Sequence, residues 1–255
     1  MQLLVSVTNA LEAAAALAGG ADIIDAKDPE AGPLGPVAIA ALRGICGTVA
    51  GVRPVTAALG DAVDEASVEQ AARRFSAAGA ALVKVGFAGV TSSTRAETLT
   101  TAAVRGVHAG SAQWRGVIVV AYADANRAMS LPPAALLEVA VRVGVAGVLL
   151  DTADKAGPGL RELCEAGALA AWVAEARAAG LLVALAGKLA AGDLLFVRDA
   201  GADIAGVRGA ACEGGRTGRV ATEKVRALKS GFRSAVGSPA PLPDRATDLL
   251  RRRPT

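Results

Sequence analysis

One phrase recurs along the chain. GGADIIDAK (19–27), AGAALVKVG (78–86), VGVAGVLLD (143–151) and AGADIAGVRG (200–209) each join a small Gly-Ala turn to a short run of strand character, and each follows an Ala-rich helical segment. The glycine stands where a helix C-cap belongs, because glycine takes left-handed backbone angles without a steric penalty. Gly20, Gly79, Gly144 and Gly201 lie about 60 residues apart, which is the length of two strand–helix units. Four further apolar runs fall between them, at Gln2–Val7, Val52–Leu59, Val117–Ala123 and Leu181–Ala186. Eight strands therefore alternate with eight helical stretches, at Ala10–Ala18, Val37–Ile45, Glu65–Ala78, Arg95–His108, Pro133–Val143, Leu160–Ala179, Leu189–Ala200 and Thr222–Lys229. Runs that are apolar throughout belong to strands covered on both faces. Strict alternation of strand and helix calls for a parallel sheet. The expectation is an α/β chain forming a single (β/α)8 TIM-like barrel over residues 1–230. An open doubly wound sheet is the alternative. It would carry a Gly-rich fingerprint after its first strand, whereas this chain has Ser6-Val7-Thr8-Asn9 there, a helix N-cap without glycine.

Composition narrows the partners. Of 255 residues, 53% are hydrophobic, 20% charged and 3% aromatic, so the core must be built from small and aliphatic side chains. Net charge is only +3, and no basic face interleaved with aromatics is visible, so nucleic acid is not an expected partner. Cys46, Cys164 and Cys212 are far apart and form no CxxC pair, which fits reduced thiols in a cytoplasmic protein. The N-terminus has no basic leader and Glu12 interrupts its apolar run, against a signal peptide. The longest stretch free of charged residues is Ala31–Leu42, broken by Pro33 and Pro36, and it is too short for a membrane span. Residues 231–255 lose the alternating pattern and are expected to form a tail, with one short helix at Asp244–Arg253 and a solvated arginine-rich end.

Chemistry in such a barrel sits at the C-terminal ends of the strands, and the charges of this chain gather there. The lysines are Lys27, Lys84, Lys155, Lys188, Lys224 and Lys229. The first four fall at strand ends or just beyond. Within DIIDAKDPE, Asp25 and Lys27 share a face with Ile23, because strand side chains alternate with period two. Lys84 lies inside LVKVG on the face of Leu82, and GVLLDTADK carries Asp151 and Lys155. Lysine differs from arginine in that it loses its proton when desolvated or crowded by another cation, and then acts as nucleophile or base. Lys27, Lys84 and Lys155 come from even-numbered strands, which feed the same interior layers, so they are expected to converge on one cavity. The structural alternatives are rim pairs, Lys27 with Asp25 and Asp151 with Lys155, and a solvated Lys188. His108 is the only histidine and falls at a helix end, which leaves no basis for a Ser-His-Asp centre or a histidine metal site.

The last two loops suggest phosphate. ALAGKLA (184–190) places Gly187 and Lys188 between strand and helix, and GVRGAACEGGRTGRV (206–220) is glycine-rich with Arg208, Gly209, Arg216 and Arg219. Barrels commonly bind phosphate there through loop amides. The candidate phosphate residues are Gly187, Lys188, Arg208 and Gly209; loose connecting loops are the other reading. Amines, carboxylates and a phosphate cradle together point to carbonyl chemistry on a small phosphorylated substrate. No NAD fingerprint or zinc set is present, so no cofactor and no metal is expected.

The blocks LLVSVTNALEAAAALAGGADIIDAKDPEAGPLG, LVKVG, GVLLDTADK, AGKL and DIAGVRGAAC resemble the (5-formylfuran-3-yl)methyl phosphate synthases of methanofuran biosynthesis, over about residues 1–230. The resemblance implies a TIM-like barrel. It implies a carbon–oxygen lyase that condenses two glyceraldehyde 3-phosphate molecules into a furan aldehyde phosphate, releasing phosphate and water. It implies Lys27 as the Schiff-base lysine and Lys84 as proton acceptor, with Asp25, Asp151 and Lys155 as further active-site positions. On this reading Asp25, one layer deeper, holds the Lys27 amine in place. A generic class I aldolase on another triose phosphate and a non-catalytic phosphate-binding barrel are the alternatives. Barrels often self-associate through their helices, so a homo-oligomer is compatible with the sequence.

Overall fold

The computed structural model describes residues 1–113 and 115–234. Eight parallel strands close into a barrel in chain order: β1 (Gln2–Val7), β2 (Ile23–Ala26), β3 (Val55–Asp61), β4 (Leu82–Gly86), β5 (Gly116–Tyr122), β6 (Gly147–Asp151), β7 (Leu182–Leu185) and β8 (Ile204–Val207). The seam is β8 against β1, with Gln2 opposite Ile204 and Val5 opposite Val207. Helices pack outside: α1 (Ala10–Ala18), α2 (Ile39–Val49), α3 (Glu65–Ala77), α4 (Ser93–Gly110), α5 (Ala125–Ala128), α6 (Pro133–Val143), α7 (Leu160–Leu163), α8 (Ala166–Ala178), α9 (Leu194–Asp199) and α10 (Thr222–Ser234). The four repeat glycines all adopt positive φ, from 73° at Gly144 to 113° at Gly79, so each turns the chain from helix to strand as the repeat implies.

Alternation along the strands sorts the apolar residues into two cores. Outward-facing side chains such as Leu3, Val5, Ile24, Val83, Val119 and Val183 pack beneath the helices. Inward-facing ones plug the barrel axis: Leu4, Ile23, Leu82, Ile118, Leu149, Leu182 and Ile204, one each from seven strands. The next inward residue on each strand stands one layer nearer the C-terminal face. There the plug gives way to Ser6, Asp25, Thr56, Lys84 and Asp151, all buried. Ser6 is in register with Asp25, and Asp25 with Thr56.

The connections differ from the expected ones in several places. The expected helix Leu160–Ala179 breaks at Cys164, and Glu165 caps the second piece by accepting hydrogen bonds from the Gly167 and Ala168 amides. Leu189–Ala200 becomes a 3-10 turn, Ala191–Asp193, followed by the short α9. The third strand begins at Val55, after Pro54, because Val52 lies exposed in a turn. Two elements carried no clear periodic signal, α5 and a small hairpin of β9 (Cys212–Glu213) with β10 (Arg219–Val220) inside the Gly-rich loop. Helix α10 continues past residue 230 to Ser234, and the helix expected at Asp244–Arg253 lies outside the described residues. Among the described residues no helix is long and apolar enough to cross a membrane. His108 is exposed at the end of α4, and the three cysteines are unpaired.

Candidate active site

The polar layer opens into a cavity of about 300 Å³ at the C-terminal face of the barrel. Asp25, Lys27, Lys84, Asp151 and Lys155 all line it, together with Gly187, Lys188, Arg208 and Gly209. The even-numbered strands and the loops after them supply its charges, apart from Lys188, which follows β7. Its free space comes from the β7–β8 side, where the inward positions are Ala184, Ala186 and Gly206.

Two ion pairs organise the charges. Asp25 is fully buried and takes Lys84 Nζ at 2.6 Å. Ser6 Oγ and Thr56 Oγ1 donate to the two oxygens of Asp25 at 2.9 and 2.7 Å. Burial works to raise the Asp25 pKa, but the charges of Lys84 and Lys27 and the hydrogen bonds from Lys84 and Thr56 outweigh it. The net direction is down, so the carboxylate stays ionised. On the facing side, Lys155 Nζ reaches Asp151 Oδ1 at 2.7 Å and Thr152 Oγ1 at 3.3 Å. The Thr152 amide also donates to Asp151 Oδ1, at 2.8 Å. Burial opposes ionisation of Asp151 too, and Lys155 and Lys27 again reverse it, leaving a net downward shift.

Lys27 stands between these pairs and belongs to neither. It is 9% exposed, and among the described residues no carboxylate lies within 4.0 Å of its amine. Its pKa falls from 10.5 to about 8, and desolvation is the largest cause. Asp151 and Asp25 pull it upward, while Lys84 and Lys155 act with desolvation to lower it. A desolvated amine in a cluster of like charges is one that loses its proton near neutral pH. The expected Lys27–Asp25 contact is not formed. Residues two apart on a strand stand about 7 Å apart with parallel side chains, so Lys27 extends one layer above Asp25. Lys84, on the next strand but one, meets that carboxylate from across the interior.

The phosphate candidates divide. Gly187 turns with φ 105° and Lys188 with φ 58°, and the exposed Lys188 ammonium donates to the Gly157 carbonyl. The backbone N–H groups of Lys188, Leu189, Gly209 and Ala210 have no acceptor among the described residues, which is the donor array an anion needs. Arg208 behaves differently from its expected role. Its Nε donates to Arg216 O, Nη1 to Ser6 O and Glu12 Oε2, and Nη2 to Gly218 O and Glu12 Oε1. A guanidinium has five N–H groups, so no donor of this side chain is left for a phosphate.

Sequence reasoning missed several contributors. Ser6 and Thr56 orient Asp25, Thr152 steadies Lys155, and Glu12 anchors Arg208. A signal existed for the first two: each is a lone hydroxyl in an apolar strand, on the inward period. Arg216 was one arginine among three in its loop. It lines the cavity and bonds to Pro29 O and Gly32 O at 2.7 and 2.8 Å. Asp61 and Asp124, also at strand ends, lie outside the cavity. Asp61 accepts from Tyr122 Oη at 2.7 Å, and Asp124 from the Ala153 and Asp154 amides.

Comparison with known proteins adds an independent line. The family model for 4-HFC-P synthase matches residues 3–229. A relative from Methanopyrus kandleri, named (5-formylfuran-3-yl)methyl phosphate synthase, is 40% identical over 230 residues, covering 89% of this chain and 97% of its own. One from Methanocaldococcus jannaschii with the same name is 38% identical over 239 residues, covering 90% and 98%. Among solved structures, KGPDC from Streptococcus mutans superposes with a TM-score of 0.64 at 13% identity over 92% of this chain and 99% of that one. A 3-hexulose-6-phosphate synthase gives 0.56 at 23% over 89% and 99%. At those identities the structures share the fold alone. The family match spans nearly the whole barrel and the named relatives cover both chains almost end to end, so this chain belongs to the 4-HFC-P synthase family.

Proposed function

We propose that this enzyme condenses two molecules of glyceraldehyde 3-phosphate into (5-formylfuran-3-yl)methyl phosphate through a Schiff base on Lys27, with loss of phosphate and water. The observation that carries the reading is the state of Lys27: a buried amine, pKa about 8, unpaired, in the wall of a cavity that carries two carboxylates and three further amines. Its neutral form adds to a substrate carbonyl carbon, and the carbonyl oxygen leaves as water once protonated by a neighbouring ammonium. The resulting iminium withdraws electrons from the adjacent carbon, so a proton there is removed and an enamine forms. The enamine expels phosphate from the carbon beyond, and the unsaturated iminium so formed is attacked there by the enol carbon next to the second molecule's carbonyl. Closure of the ring oxygen onto that carbonyl and loss of two waters complete the furan, and hydrolysis of the iminium frees the formyl group and returns Lys27. The Lys84–Asp25 pair, on one side of the amine, moves the protons of the carbon–carbon step. Lys155 with Asp151, on the other side, serves the oxygen that leaves.

Incubation with glyceraldehyde 3-phosphate should generate the ultraviolet absorbance of a furan aldehyde, which a simple aldol product lacks. Borohydride added during turnover should leave a reduced adduct that peptide mapping locates on Lys27. An adduct on Lys84 or Lys155 would keep the imine and exchange the roles. No adduct on any lysine, with substrate shown to bind, would refute the Schiff base.

A further inference from the structure

The wall of the cavity formed by the loop after β8 holds a cation that neither ion pair uses. Arg216 is half-buried there, and its guanidinium spans the mouth to the loop after β2 through Pro29 O and Gly32 O. Those bonds engage two of its five N–H groups. Among the described residues no carboxylate lies within 4.0 Å of it. A guanidinium bonded only to carbonyls keeps its charge available to a ligand. Its backbone lies against Gly209, where a side-chain Cβ would stand 3.6 Å from Arg216 N. The backbone segments that carry Arg216 and the unengaged amides of Gly209 and Ala210 are therefore packed together in the wall of one cavity. Arg208 fixes this arrangement from behind, through its bonds to Arg216 O and Gly218 O.

We infer that Arg216 is the side chain that grips the substrate phosphate, in concert with the Gly209 and Ala210 amides, and that Arg208 is the strut that positions it. Three N–H groups of the Arg216 guanidinium remain for a phosphate, and the amides complete the cradle. The inference rests on the triose phosphate reading of the substrate but not on the Schiff base.

The test uses the full chain with Arg216→Gln and Arg216→Lys, and inorganic phosphate as the probe in calorimetry. Phosphate affinity should fall at least about tenfold in Arg216→Gln, since a charged hydrogen bond is lost, and less in Arg216→Lys, which keeps the charge without the fork. KM for glyceraldehyde 3-phosphate should rise by a similar factor, with a smaller change in kcat. Wild-type phosphate affinity retained in a folded Arg216→Gln protein would overturn the inference and leave the reaction untouched, as would a wild type that binds no phosphate. Should Arg216→Gln fail to fold, Arg216→Lys carries the test with the same outcomes. Phosphate binding that depends on Arg216, in a protein that makes no furan, would keep this site and sink the proposed reaction instead.

Discussion

At the scale of single residues, the environment of Lys27 sets the pH behaviour. With a pKa of about 8, the reactive amine gains population as pH rises through that value. The rate of borohydride trapping at saturating substrate should climb through about pH 8 and then level. Lys84→Met should move that midpoint upward. The substitution removes a cation that pushes Lys27 down and frees Asp25, a carboxylate that pulls it up. A midpoint that stays put or falls would contradict the charge arrangement. The same shift has a consequence for stability. The folded pKa lies below the ordinary 10.5, so between about 8 and 10.5 the unfolded chain binds the extra proton. The burden that Lys27 places on folding is thus fully present below about pH 8 and is relieved as pH rises towards 10.5. Asp25 carries the opposite weight. Asp25→Ala would leave Lys84 buried without its partner and should cost about 3–5 kcal/mol, read as the loss in denaturant midpoint.

Elements show which parts of this architecture local sequence could reveal. Strand β2 was legible because it needs only its own pattern: Ile23, Asp25 and Lys27 alternate with outward residues, and the structure places all three inside the barrel. The split of α7 from α8 was hidden because the Ala-rich run reads as one helix, while the break depends on Glu165 capping the second piece. The partner of Asp25 was hidden for a different reason. Lys84 lies on another strand, and only barrel closure brings it within 2.6 Å. Arg208 and Arg216 look alike in sequence; what separates them is Glu12, 196 positions away from Arg208. Helix packing offers a test away from the cavity. Gly106 of α4 faces α3 so closely that a Cβ would stand 2.2 Å from Glu69 O. Glycine weakens a helix interior, and here it permits that approach. Gly106→Val should therefore destabilise by about 1–3 kcal/mol in chemical denaturation through overpacking. Trapping on Lys27 should persist in the folded variant, and an unchanged denaturant midpoint would show that the two helices can separate at little cost.

For the whole molecule, a barrel closes only if its last strand returns to its first, and this chain seals that seam twice with charge. On the N-terminal side Lys229 of α10 pairs with Asp22 ahead of β2. On the C-terminal side Arg208 after β8 pairs with Glu12 of α1 at 2.9 Å, their side chains 5% and 8% exposed. Glu12 also accepts from the Thr8 amide and hydroxyl and from the Val220 amide. The first helix, the last barrel strand and the Gly-rich loop thus share one carboxylate, and the proposed phosphate cradle hangs from the same joint. Burial works to raise the Glu12 pKa, but Arg208 and Thr8 outweigh it and the net direction is below the ordinary 4.5. The stability this group contributes is therefore complete above 4.5 and is lost as pH falls through the folded value. Glu12→Gln should cost about 3–5 kcal/mol at neutral pH, because it leaves the buried guanidinium without its counter-charge, which is roughly 6–20 °C in Tm for a chain of this size. The Tm difference between wild type and Glu12→Gln, taken at matched pH, should hold steady from neutral pH down to about 4.5. Below that it should shrink, since protonated Glu12 no longer supplies the charge that the variant lacks. A difference that stayed constant well below 4.5 would show that hydrogen bonding alone, and not the ion pair, closes the seam.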